Sequence, residues 1–110
     1  MEKKLIDADE ALLRLGGNQQ VYKMLLKKFL NNTYFNDLTN HLSSGNLVEA
    51  EHSAHTIKGT AGNLSLTALY TSATNLDDIL KDSGDYAAAF EELKKIYEDT
   101  MNEVKGFIAS

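Results

Sequence analysis

The sequence predicts an all-α fold, an antiparallel up-down-up-down four-helix bundle with a short additional N-terminal helix, and three observations carry that reading. No proline occurs in 110 residues, so nothing stops a helix except a few short Gly/Asn/Ser clusters. Between those clusters, apolar residues recur at three- and four-residue steps, the spacing of one helix face. Runs of alternating β-branched residues, which would mark strands, are missing.

The first helix is predicted from about Asp7 to Leu15, with Asp7 as cap, Glu10 three residues on, and Gly16-Gly17 as the stop. Asn18 can cap a second helix running from about Gln19 to Leu42, and Ser43-Ser44-Gly45-Asn46 makes the turn that follows. In that second helix Tyr22, Leu25, Leu26 and Phe29 share one face, whereas Phe35, Leu38 and Leu42 project roughly opposite. Either it bends near Asn31-Asn32, or it exposes apolar surface. A third helix covers Leu47 to Leu64, with Leu47, Ala50, Ala54, Ile57, Ala61 and Leu64 as its core stripe. Ser65 can cap a fourth, striped by Leu66, Leu69, Ala73, Leu76 and Leu80 and broken at Asp82-Ser83-Gly84. The fifth carries Tyr86, Phe90, Leu93, Tyr97, Met101, Val104 and Ile108, a period no strand could present on one face. Four long helices joined by short loops pack as antiparallel neighbours.

A chain of 110 residues with 43% hydrophobic content is expected to form one domain over residues 1–110 and to remain a monomer. The net charge of -5 offers no basic stripe for phosphates, which argues against nucleic acid. The absence of cysteine removes disulfides, thiolate metal sites and cysteine nucleophiles. The opening Met1-Glu-Lys-Lys-Leu-Ile-Asp has no apolar run fit for a signal peptide, and no segment approaches the ~20 apolar residues of a membrane span. A cytoplasmic location without membrane insertion is the expectation, although a domain cut from a larger membrane-anchored sensor would read the same way.

The third helix holds the informative residues. At ~100° per residue, His55 projects well over 90° from the centre of the core stripe and is expected to face solvent. Around it lie Glu51 one turn before, Lys58 and Gly59 one turn after, and Gly62 two turns after. Each mid-helix glycine costs roughly 1 kcal/mol relative to alanine, so something should offset that loss. Beside an exposed imidazole, a missing side chain lets another backbone or a phosphoryl group approach; Gly62 serves equally well for close helix packing. Neutral imidazole is a competent nucleophile through Nε2, and a lysine cation at i+3 disfavours imidazolium and can pair with phosphoryl oxygens. No Gly-rich phosphate loop and no nucleotide site is present, so the chain cannot make its own phosphoryl donor.

The stretch Ala54-His55-Thr56-Ile57-Lys58-Gly59-Thr60-Ala61-Gly62-Asn63-Leu64, continuing to Leu69 and Leu76-Asp77, resembles the signature of histidine-phosphotransfer domains of bacterial multistep phosphorelays. The earlier Asp7-Ala-Asp-Glu-Ala-Leu-Leu-Arg-Leu-Gly-Gly-Asn, leading into Tyr22 and Leu25-Leu26, is similar to the N-terminal part of bacterial members. The resemblance implies that His55 accepts and donates the phosphoryl group, that Lys58 is its basic neighbour and that Gly59 keeps the approach clear. It implies response-regulator receiver domains as partners, which supply Mg²⁺ and the catalytic groups, and a hybrid sensor histidine kinase in the same or another chain. This chain would then be a carrier, not an enzyme, and would bind no cofactor of its own. Two departures stand out. Ser65 occupies a place where glycine is common, and Asp77 replaces a longer glutamine or glutamate that can hydrogen-bond near the imidazole.

His52 with His55, and Glu51 with His55, have spacings that could hold a transition metal, but no further ligand can be placed from sequence and no metal site is expected. The competing function is a helical adaptor that binds partners through the second and third helices without phosphoryl chemistry. In either case the docking face is expected around Asn31, Tyr34 and His55. In a hairpin turning near Ser44-Gly45, equal heights sum to about 89, which sets His55 level with Tyr34. Leu30, Tyr34 and Leu38 are the apolar candidates there, with Lys27, Asn31 and Asp37 as a polar rim.

Overall fold

Helix boundaries follow the chain's polar punctuation. In a computed structural model, which describes residues 5–110, there are six α-helices and no strand. They are α1 (Ala8–Arg14), α2 (Gln19–Leu30), α3 (Tyr34–Ser43), α4 (Leu47–Asn63), α5 (Thr67–Lys81) and α6 (Ala87–Ala109). Residues 1–4, which belong to the stretch read for a leader, lie outside the described residues. None of the described helices is long and apolar enough to cross a membrane.

Three short polar side chains start helices by accepting an otherwise orphaned backbone N–H. Asp7 accepts from Glu10 at 3.1 Å, Asn18 from Val21 at 3.1 Å and Asn46 from Glu49 at 3.3 Å. The expected second helix is in fact two. Asn32 ends α2 by donating Nδ2–H to the Phe29 carbonyl, and its Oδ1 accepts the Tyr34 N–H at 2.8 Å, which opens α3. This break resolves the two opposed apolar faces. α2 packs on α6 and α3 packs on α4, so each short helix turns its own stripe to a different neighbour.

α4 sits between α3 and α5, and α5 in turn packs on α6, closing the helical bundle. Ala50, Ala54, Ile57 and Ala61 of α4 are buried, and small side chains at three of these positions let α5 come close. Leu66, Leu69, Ala73, Leu76 and Leu80 of α5 complete that seam. Leu47, expected in the core stripe, is 41% exposed because it is the first residue of α4 and lies beyond the packed length. Leu38, expected as partly exposed docking surface, is wholly buried, since the break rotates α3 onto α4. Phe35 stacks between Phe90 and Tyr97, with ring centroids 5.7 and 4.9 Å apart, and so ties α3 to α6.

The turn from α4 to α5 departs from expectation in a second way. Ser65 does not cap α5; it takes φ +55°, with the Leu66 N–H bonding back to the Ala61 carbonyl at 2.9 Å and its own N–H to Gly62 at 3.3 Å. That is a left-handed helix stop, the conformation that glycine adopts at least cost. Its hydroxyl donates to Glu10 Oε1 at 2.8 Å and receives a hydrogen bond from Arg14, whose guanidinium also reaches the Gly62 carbonyl at 3.0 Å. The Tyr22 hydroxyl donates to the Leu64 carbonyl at 2.7 Å, and burial, with the charge of Asp7, pushes its pKa up to about 12 against the opposing pull of Arg14.

Candidate functional site

On α4, Glu51, His55 and Gly59 fall in one row along the edge of the seam with α5, one turn apart from each other. His55 follows from the helical period: Ala54 and Ile57 beside it are fully buried, while its own side chain is 63% exposed. The ring does not swing freely. Its Nδ1 lies 3.3 Å from Oδ2 of Asp77 on α5, and Asp77 is completely buried. A carboxylate has only acceptors to offer, so an ionised Asp77 at this distance suits the Nδ1–H form of the imidazole, which leaves the lone pair on Nε2.

Asp77 carries more than one partner. Lys81, one turn later on α5, places Nζ 3.3 Å from the same Oδ2. Burial pushes the Asp77 carboxyl up, but the neighbouring Glu51 carboxyl, the His55 ring and the Lys81 ammonium with its charge outweigh it and hold the group below its ordinary value. Glu51 answers in the opposite direction. Its hydrogen bond with Asp77, then burial and the Asp77 charge, raise its carboxyl above the usual range against the pull of Lys81 and His52. Of the two acids, Asp77 is therefore the one that ionises first as pH rises.

Glu51, His55 and Asp77 each bring one ligand-type atom within 4.8 Å of the others, a third potential ligand that helix spacing alone could not locate. The Lys81 ammonium already balances that carboxylate charge. Lys58 makes no ion pair among the described residues, and its ammonium is available to an incoming anion. The arrangement is an exposed nucleophilic nitrogen, a buried anion behind it and an unengaged cation beside it.

The Hpt domain family matches residues 25–105, which is most of the chain. The chain belongs to this histidine-phosphotransfer family. Hpt domains are phosphocarrier modules of phosphorelays, generally not enzymes, and they interact with receiver domains and kinases. No curated protein and no solved structure matches the chain.

Within this Hpt domain the two mid-helix glycines separate. A Cβ at Gly59 would meet nothing within 4 Å, so no neighbour in the chain requires glycine there. At Gly62 a Cβ would stand 3.2 Å from the Tyr70 ring, which gives that glycine a packing reason. Asn31 is the exposed C-cap of α2. Tyr34 lines an open hollow of about 190 Å³ with Leu25, Lys28, Phe29, Asn32, Thr60 and Leu64. It therefore lies beside the stretch 5 to 9 residues beyond His55, not level with it; the helix break shifts the register that a continuous hairpin would have had. Lys81 was not singled out in the sequence, although its i+4 spacing from Asp77 is the signal that could have found it.

Proposed function

We propose that this Hpt domain accepts a phosphoryl group on Nε2 of His55 from the aspartyl phosphate of one receiver domain and passes it to the aspartate of another, or back. The observation that carries the reading is the His55–Asp77 contact: a ring 63% exposed whose Nδ1 is engaged by a buried carboxylate at 3.3 Å. With Nδ1 bonded, Nε2 is the free nucleophile. In the forward step the Nε2 lone pair forms an N–P bond as the aspartyl O–P bond breaks, and the electron pair leaves with the receiver's carboxylate. The ring, now cationic, keeps its Nδ1 proton against Asp77, and that charge favours the onward transfer that restores the neutral imidazole.

Lys58 pairs with the phosphoryl oxygens, and Gly59 leaves clearance for the receiver's backbone. Mg²⁺ and the activating groups are assigned to the receiver, with the chain acting as a cytoplasmic, monomeric carrier. An antiparallel up-down arrangement, with α2 and α3 together forming one of four legs and residues 1–110 forming one domain, fits the helix neighbours. The receiver would dock over α2, α3 and α4, with Asn31 and Tyr34 at the rim of the face that carries His55, and α6 free. The test is His55→Gln. It should leave helicity and melting almost unchanged and abolish phosphorylation by a phosphorylated receiver; full phosphorylation of the variant would refute the assignment.

A further inference from the structure

We infer that Lys81 is a positioning residue for this reaction: through Asp77 it fixes which nitrogen of His55 bears the proton. The inference rests on His55 being the phosphoacceptor. It starts from a conflict within the side-chain cluster. Asp77 is fully buried, one of its oxygens, Oδ1, has no hydrogen-bond partner among the described residues, and a second carboxyl, Glu51, lies against it. Two carboxylates this near raise the cost of each other's charge, and a proton taken up by Asp77 would change the chemistry at His55.

If Asp77 is the ionised partner, its Oδ2 accepts the Nδ1–H and the lone pair sits on Nε2, facing solvent. If Asp77 takes the proton instead, it becomes a donor, Nδ1 becomes the acceptor, and the hydrogen moves to Nε2, which then cannot attack phosphorus. Lys81 acts on that choice because its Nζ lies 3.3 Å from the same Oδ2 that His55 uses. Its ammonium offsets the cost of a buried anion beside Glu51 and so favours the ionised form of Asp77. Together with Leu47, Val48, Glu51, Leu80 and Ser83 the lysine lines an open hollow of about 270 Å³.

The other charged groups of α3, α4 and α5 do not substitute for it. α4 carries Glu49, Glu51, His52 and Lys58, α3 carries Asp37 and His41, and α5 carries Asp77, Asp78 and Lys81. Among these, Lys81 pairs with Asp77, His52 faces Glu49 and Glu51, and the acid Asp37 accepts from Thr33.

The experiment is ¹⁵N NMR of the His55 ring in the full chain at a pH where the imidazole is neutral, alongside the rate of phosphoryl uptake from a phosphorylated receiver with Mg²⁺. The wild-type chain should be mainly Nδ1–H. Lys81→Met should shift the population toward Nε2–H and slow uptake by about 5- to 10-fold, the scale of one ordinary hydrogen bond, since the lysine acts through Asp77. Lys81→Arg should restore both. Loss of the ammonium leaves a buried carboxylate less compensated, so melting should fall as well, but a merely structural role would leave the tautomer untouched. A wild-type tautomer and rate in Lys81→Met would overturn the inference. A wild-type chain that takes no phosphoryl group on His55 would overturn the carrier reading, and with it the inference, whatever the ring spectra show.

Discussion

Two polar clusters pin α5 to the rest of the molecule, and they are built on different terms. At its start, Glu10, Arg14 and Ser65 form a closed set: the Ser65 hydroxyl both donates and accepts, and the guanidinium bonds Glu10, Ser65 and the Gly62 carbonyl. Near its end, Glu51, His55, Asp77 and Lys81 converge on one buried carboxylate that has an oxygen to spare, and a ring nitrogen is left facing water. The first cluster satisfies its members and locks a turn. The second leaves a nucleophile exposed and a buried charge in need of support, an arrangement whose cost makes sense if chemistry occurs there.

The comparison is broken most severely by Asp77→Ala. Uptake of a phosphoryl group should fall by about 10- to 100-fold, the size of a lost charge-assisted hydrogen bond to the imidazole, as measured by transfer from a phosphorylated receiver. Arg14→Ala, at the other cluster, should instead leave that rate unchanged and cost about 1–2 kcal/mol in denaturant melts. If Arg14→Ala slows transfer as much as Asp77→Ala does, the two clusters do not divide in this way.

Gly59→Gln sharpens the contrast on a single helix. Because nothing in the chain crowds that position, the substitution should stabilise α4 by up to about 1 kcal/mol while slowing transfer several-fold. Gly62→Ala meets the Tyr70 ring and should affect packing, with transfer rates little changed.

The smallest expected effect is on stability against pH. Asp77 titrates below its ordinary 3.8 when folded, so its contribution is present above about 3.8 and is lost as pH falls through the lowered value. Glu51 titrates above its ordinary 4.5, so its contribution is present below about 4.5 and is lost as pH rises through the raised value. Glu51→Gln should therefore flatten the loss on the alkaline side of 4.5, and Asp77→Asn the loss on the acid side of 3.8, in chemical melts across that range.

The helical period made most of this legible before any coordinates. The caps at Asp7 and Asn18 and the buried stripe of α5 follow from local rules that act within a turn or two, and so does the exposed ring of His55; of the stripe read for the last helix, Leu93, Tyr97 and Val104 are buried and Tyr86, Phe90, Met101 and Ile108 only partly. The break at Asn31–Thr33 was legible only as a conflict between two apolar faces; whether the chain would bend or expose them depended on α6 and α4 lying where they do. Ser65 was misread because serine caps helix starts far more often than it adopts a left-handed stop, and only Glu10 and Arg14, more than 50 residues away in sequence, give its hydroxyl a reason to stay. Asp77 looked too short to reach His55, but the alanines of α4 draw α5 close enough for a short side chain.

The central claim is that Asp77 holds Nδ1 so that phosphate joins Nε2. The most direct measurement is ³¹P and ¹⁵N NMR of the chain after phosphorylation by a receiver charged in the presence of Mg²⁺. The account expects a single acid-labile, base-stable phosphoryl group on His55, bonded to Nε2, with Nδ1 still protonated. A phosphoryl group on Nδ1, on His41 or His52, or none at all would contradict it.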